Sequence, residues 1–213
     1  MKQLTFYFDP VSPFAYLAFE HLPQALIGLT HEVAYRPVLF AGLLNHWGQK
    51  GPAEIAPKRA WTYRYVMWLG KELDIELQMP AQHPFNPLPL LRLLWACARE
   101  GDTPNRYACE SVLRHVWRGG ARADESTRLQ ALERELGPVR DARSDAVKAT
   151  LRDAGAAATA RGVFGVPTIE VDGRLFWGLD ALPMAAAYLR GETWFETHWD
   201  EAEQITASAQ RAL

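Results

Sequence analysis

The sequence carries only two cysteines, Cys97 and Cys109. They lie too far apart for a C-x-x-C pair, and two thiols are too few for a secreted disulfide framework or a structural zinc site. Both fall in helical patterns, where a thiol behaves as a small hydrophobe. An excess of one charge is also missing. Twenty-three Lys and Arg stand against 25 Asp and Glu, a formal charge of -2, so no global field draws the chain to nucleic acid or to an anionic bilayer. No apolar run approaches the roughly 18 residues that a spanning helix needs, and residues 1–10 lack a basic stretch leading into an apolar one. A soluble cytoplasmic protein without membrane or nucleic-acid partners is the expectation. The six histidines show no metal-binding spacing, and repeats and low-complexity tracts are absent, so no metal is expected. What is present is ordinary globular composition, 48% hydrophobic and 23% charged over 213 residues, enough for a core without staples.

The chain opens β-α-β. Leu4 to Phe8 is a short run of β-formers ending at Asp9-Pro10; Ser12-Pro13 reads as an N-cap followed by Pro at the first helical position, and the stripe Phe14, Leu17, Ala18, Leu22 carries the helix toward Gly28. Glu32 to Arg36 reads as a second strand. From Gly51 to Gly162 the spacing turns helical, with faces at Trp61/Tyr65/Trp68/Leu69/Leu73, at Leu90/Leu91/Leu94/Trp95/Ala98 and at Val112/Leu113/Val116/Trp117, and further helices over 124–136 and 144–161. The Trp61 and Trp95 faces are expected to pack between these helices. Strands return at Thr168–Val171 and Arg174–Trp177 around an Asp172-Gly173 turn, before a helix over 180–189. This order predicts an α/β, thioredoxin-like domain with an inserted all-helical domain. Its expected boundaries are 1–50 and 163–191 for the discontinuous thioredoxin-like part, 51–162 for the insertion and 192–213 for a C-terminal tail.

Two segments could carry chemistry. Ser12 places a hydroxyl where a central strand meets a helix, beside free N–H groups that favour an anion; a plain capping role is the alternative. Val166-Pro167 precedes a strand, and a cis bond there would leave the Val166 backbone free to pair with an extended peptide, whereas a trans turn would not. The sequence leaves both choices open.

Taken together, FYFDPVSPFAYLA, VFGVPTI and FWGLDAL, in that order around the helical block, resemble the 2-hydroxychromene-2-carboxylate isomerases and, more distantly, the kappa-class glutathione transferases. Both belong to the DsbA-like thioredoxin superfamily, and the resemblance spans about residues 1–190. Where oxidoreductase relatives have C-x-x-C, this chain has Ser12-Pro13-Phe14-Ala15, so no sulfur is present there for disulfide exchange.

The resemblance implies glutathione as cofactor, its thiolate stabilised by the Ser12 hydroxyl. It further implies that Val166 pairs through its backbone beside Pro167, and that Asp180, after Trp177, Gly178 and Leu179, takes the γ-glutamyl ammonium. The implied reaction is isomerisation of an unsaturated 2-oxo acid in aromatic catabolism. Leu179 stands where relatives have a polar side chain, Glu54 where they have an asparagine and Leu44 where they have a basic residue.

Lys58 and Arg59, early in a helix, are candidates for a substrate carboxylate, and Ala53, Glu54, Phe85 and Asn86, with His83, are candidates for the pocket; His83-Pro84-Phe85-Asn86 is expected to enter the next helix. The alternatives are a kappa-type transferase or peroxidase, and a non-catalytic thioredoxin-like domain that binds peptide. Pairing with a second copy of the chain stays open.

Overall fold

The central strand β1 (Lys2–Phe8) buries both faces because its side chains alternate between two cores. Leu4, Phe6 and Phe8 enter one and Tyr7 the other. In the computed structural model, which describes residues 1–206, β1 is flanked by β2 (His31–Pro37) in parallel and β3 (Thr168–Val171) in antiparallel pairing. Phe6 faces Tyr35 on one side and Ile169 on the other. β4 (Arg174–Trp177) continues antiparallel from β3 through Asp172 and Gly173, whose φ values of 50° and 81° suit a tight two-residue hairpin. The sheet order is β2-β1-β3-β4.

Helix α1 (Pro13–Ala25) crosses from β1 to β2 with seven of its residues buried, among them Tyr16, Leu17 and Phe19. Between β2 and β3 lie α2 (Phe40–His46), a 3-10 turn (Pro52–Glu54), α3 (Ala56–Glu72), α4 (Leu88–Ala96), α5 (Arg106–Trp117), α6 (Ser126–Leu136) and α7 (Asp145–Ala160). After β4 come α8 (Leu182–Leu189) and the short α9 (Trp194–Thr197). The architecture is thioredoxin-like, α/β, with the helical series placed between the parallel and the antiparallel halves of the sheet.

Three expectations change. His83 does not enter a helix: α4 starts only at Leu88, since Pro84 and Pro87 each push the preceding residue away from helical geometry. The last helix begins at Leu182 rather than Asp180, and its cap position is Ala181, without a side-chain cap. The Trp61 face is not packing surface between helices. Over its 17 residues α3 buries only Val66 and Gly70, the latter so close to Ile75 and Leu77 that a Cβ would lie 3.2 Å from both. That contact turns Trp61 and Trp68 outward, 64% and 51% exposed, stacked on either side of Tyr65 at centroid distances of 6.2 and 6.1 Å. Trp95 behaves as expected, buried with its indole N–H donating to the Pro37 carbonyl.

In the C-terminal segment, Phe195 and Trp199 pack on Phe176 of β4, and Arg174 lies over the Trp199 ring. These contacts cover the hairpin; residues 207–213 of the segment lie outside the described residues. Among the described residues no helix is long and apolar enough to cross a membrane, and no group of side chains could hold a metal ion.

Candidate active site

The turn that carries Ser12 is tied down at nearly every polar backbone atom. Asp9, fully buried, accepts the Val11 N–H on one carboxylate oxygen and the Phe40 N–H on the other, each at 2.9 Å. Its backbone carbonyl accepts the Ser12 N–H at 2.9 Å. The Trp117 indole donates to the Pro10 carbonyl at 2.9 Å, and His83 Nε2 lies 2.7 Å from the Val11 carbonyl. A carbonyl only accepts, so Nε2 carries the proton, and Nδ1 is left as an acceptor 2.7 Å from the Tyr63 hydroxyl. Burial lowers the His83 pKa, which favours this neutral ring. Asp9 is pushed the other way: burial raises its carboxyl to about 7, against the two N–H groups that hold it down.

On this platform Ser12 is 6% exposed and caps α1, accepting the Ala15 N–H at 3.2 Å. The hydroxyl itself donates to the carbonyl of Val166, 154 positions away, at 3.4 Å. Capping uses a lone pair, and the single hydroxyl proton, held only by the long bond to Val166, is the one that would turn to a bound anion. Pro13 has no N–H to offer, so the donors that the helix start can present are the Ser12 hydroxyl and the Phe14 N–H.

The Val166-Pro167 bond is cis. Val166 is buried, and its N–H has no hydrogen-bond partner among the described residues, while the Pro167 carbonyl accepts the Gly178 N–H at 2.9 Å. Trp177 lies against Phe164 at 4.9 Å and is 54% exposed. Gly178, at φ 101°, leaves no room for a Cβ beside the Asp180 carboxylate. Asp180 is exposed and forms no ion pair among the described residues. Residues 166, 167 and 177–180 line one end of a groove of about 610 Å³ that also takes in Phe14 and Tyr65.

The remaining candidates lie off this groove. Glu54 accepts the Gly51 N–H at 2.5 Å within its own 3-10 turn, and the Arg59 guanidinium donates to the Ala53 carbonyl at 3.2 Å. Lys58 is exposed in the first turn of α3 without an ion pair among the described residues. Asn86 accepts the Leu88 N–H, and Phe85 packs its edge toward His83. Leu44 is buried beside Gly51. Tyr63 of α3 and His83 are linked to each other and, through His83, to Val11, which ties α3 and the segment at 83 to the turn before Ser12.

Sequence reasoning missed Asp9, Tyr63 and Gly165. The signal for Asp9 was its place before Pro10 at a strand end; Gly165 gave none. A Cβ on Gly165 would lie 2.5 Å from the Trp177 indole nitrogen. Gly165→Ala is therefore expected to displace Trp177 and to weaken ligand binding at this end of the groove several-fold while the fold persists. Indole fluorescence and calorimetry read the two effects, and unchanged emission would remove the packing argument.

The comparisons with known proteins agree with this geometry. The family model of the DSBA-like thioredoxin domain matches residues 3–190. The chain is 29% identical over 199 residues to 2-hydroxychromene-2-carboxylate isomerase of Sphingobium xenophagum, covering 88% of this chain and 98% of the relative. It is 24% identical to glutathione S-transferase kappa 1 of Rattus norvegicus, over 91% of this chain and 92% of that one. A solved 2-hydroxychromene-2-carboxylate isomerase superposes with a TM-score of 0.76 at 23% identity, covering 96% of this chain and all of its own. A strand, a capped helix and a cis-proline loop meeting at one residue, with the helical series between them, thus have a family: the chain belongs to the DsbA-like thioredoxin family.

Proposed function

We propose that this protein is a glutathione-dependent isomerase acting on 2-hydroxychromene-2-carboxylate or a similar unsaturated 2-oxo acid in the catabolism of aromatic compounds. The observation that carries the reading is a sulfur-free helix start, Ser12, bonded to the Val166 carbonyl, with the unpaired Val166 N–H and the free Asp180 carboxylate on the groove that Val166 lines. Both curated relatives described above are named for chemistry that fits it, one as an isomerase and one as a glutathione transferase.

These residues suit a γ-glutamyl tripeptide. The buried Val166 N–H is a donor awaiting an acceptor, as extended peptide pairing requires. Asp180 offers a carboxylate to an ammonium, and the backbone at Gly178-Leu179 offers polar groups where Leu179 has no polar side chain. Bound glutathione would supply a thiolate that adds reversibly to the conjugated acid, so that a double bond becomes single long enough to rotate before the thiolate leaves.

The chain's own part is to hold and to polarise. The Ser12 hydroxyl would turn from the Val166 carbonyl to donate to the sulfur, and the start of α1 would add its positive dipole end, both favouring thiolate over thiol. The clamp from Asp9, Trp117 and His83 fixes that hydroxyl in place before substrate arrives. Lys58 and Arg59 are the cations assigned to the substrate carboxylate, and Ala53, Glu54, Phe85 and Asn86 are assigned to the substrate pocket. The protein would work in the cytoplasm on a small-molecule acid.

A kappa-type transferase is the second reading, favoured by one observation. Leu44, buried, stands where relatives have a basic residue and Glu54, exposed, brings a carboxylate, so the pocket is less cationic than an acid-binding one. A neutral electrophile suits that better.

The deciding experiment is thermal unfolding with reduced glutathione, followed by turnover of 2-hydroxychromene-2-carboxylate. A ligand at 100 times its dissociation constant adds about 2.7 kcal/mol to the folded state, so the midpoint is expected to rise by several degrees. No shift at millimolar glutathione would sink the proposal. A shift with conjugate formation but no isomer would replace it with the transferase.

A further inference from the structure

A second groove, of about 640 Å³, opens between α2, α4 and α7. Its Leu43 and Leu151 belong to the core that Tyr7 enters, and it shares no lining residue with the groove of Val166 and Asp180, which lies between α1, α3 and α8. The α7 wall presents two neighbouring rows of side chains at helical spacing. Lys148, Arg152 and Ala156 form one; Leu151, Gly155 and Thr159 form the other. Because Leu151 is buried and Arg152 exposed, the cations rim an apolar floor, which Leu39 ahead of α2 and Leu88 of α4 complete.

Two features of this groove are not explained by packing. Arg92 of α4 lines it, and the Arg92 Nε is sealed from water without a hydrogen-bond partner among the described residues. A buried donor left open costs stability unless an acceptor meets it. On the other flank of α4, where Arg92 borders a smaller groove, Glu133 is bonded to Arg143 instead. Gly155 is the second feature. It lies inside α7, where glycine is a poor helix former, yet a Cβ there would meet nothing within 4 Å. No neighbour demands the glycine, and its effect is to keep the floor open.

Among the described lining residues no carboxylate answers Arg92, Lys148 and Arg152. Lys148 reaches Asp145, but that carboxylate is 99% exposed, and a surface pair of this kind holds little. An anion with an apolar body complements such a groove in both charge and surface.

We infer that the groove between α2, α4 and α7 is a binding site for an unbranched alkyl carboxylate. The carboxylate accepts from the open Nε edge of Arg92, whose two parallel N–H groups match its two oxygens, with Arg152 and Lys148 beside it. The chain lies along the Leu151–Thr159 row, an elongated floor of about 12 Å.

Octanoate is the probe, and octan-1-ol its neutral counterpart. Calorimetry on the intact protein should show octanoate bound about ten- to a hundredfold tighter than octan-1-ol, the gain expected of hydrogen bonds between charged groups. Arg92→Met keeps the aliphatic stem and removes the charge; it should cost octanoate that same factor and leave octan-1-ol unchanged. Gly155→Leu should fill the floor and abolish binding of both. Leucine is a good helix former, so this variant folds and keeps the test decisive should Arg92→Met unfold. Excess glutathione should not displace octanoate.

Octanoate bound no tighter than octan-1-ol, or not bound at millimolar concentration, overturns the site. So does an affinity that Arg92→Met or Gly155→Leu leaves untouched. Displacement by glutathione would place octanoate in the groove of Asp180 and overturn the site as well.

Discussion

Ser12→Ala is expected to fold and to lose ten- to a hundredfold of its glutathione-dependent turnover near neutral pH. The two consequences of the change separate because the hydroxyl does two jobs with different atoms. As a cap it accepts the Ala15 N–H, and losing a cap costs about 0.5–2 kcal/mol, which a domain with 5–15 kcal/mol of total stability survives. As a donor it would stabilise an anion, and a hydrogen bond to a charged group contributes about 1.5–3 kcal/mol, which sets the range of the rate loss.

Without that bond the bound thiol titrates at higher pH, and each unit removes about tenfold of the thiolate below it. The turnover profile of the variant should therefore move to higher pH while its unfolding midpoint moves little. Full activity with an unmoved profile would reduce Ser12 to a helix cap. Cys97→Ala and Cys109→Ala should both keep their activity. Burial pushes the Cys97 thiol up to about 11 and raises Cys109 well above its ordinary value, so neither is a thiolate at neutral pH.

The largest effect on stability is expected at Asp9. Its carboxyl, raised to about 7 by burial, holds a proton in the folded protein that the unfolded chain has already released above its ordinary value near 3.8. The folded state thus binds more protons between these values, and stability falls as pH rises from about 4 to about 7, then levels off. A shift of this size corresponds to a loss on the order of 4 kcal/mol across the window.

Asp9→Asn should abolish the slope, since the amide does not titrate. At the acid end it should also lower stability, because one of the Val11 and Phe40 N–H groups then faces an NH₂ donor instead of an oxygen; near pH 7, where the wild type has lost its own contribution, the difference should vanish or reverse. An unsatisfied buried donor costs about 1–3 kcal/mol. Denaturant unfolding of both proteins from pH 4 to 8 reads the slope and the offset. A wild-type slope that persists in the variant would assign the titration to another group.

Much of the site could be read from local signals. The Ser12-Pro13 cap, the Asp172-Gly173 hairpin and the apolar alternation of β1 each depend on residues within a few positions of one another, where backbone preference and side-chain period act directly. For the same reason the fold class followed from the order of elements: a β-α-β start and a β-β-α end leave few ways to join one sheet. The Trp61 stripe shows the limit of such reasoning. Helical spacing placed Trp61, Tyr65 and Trp68 on one face correctly, yet the choice of the covered face belonged to Val66 and Gly70, whose close approach to the 75–77 segment turned the aromatic rings to solvent.

By itself, then, the sequence determined the elements, their order, the absence of sulfur at the helix start and the three segments that carry the family resemblance. Each of these is a property of neighbours in the chain. Tertiary structure alone decided that Ser12 lies against Val166 across 154 positions, that the Asp9 carboxyl is sealed from water, that His83 reaches Val11, and that α1, α3 and α8 leave a channel between them. The reason is common to all four: burial and proximity between distant segments depend on how whole helices pack. That packing is a sum over many side chains, with no short stretch of sequence that records it.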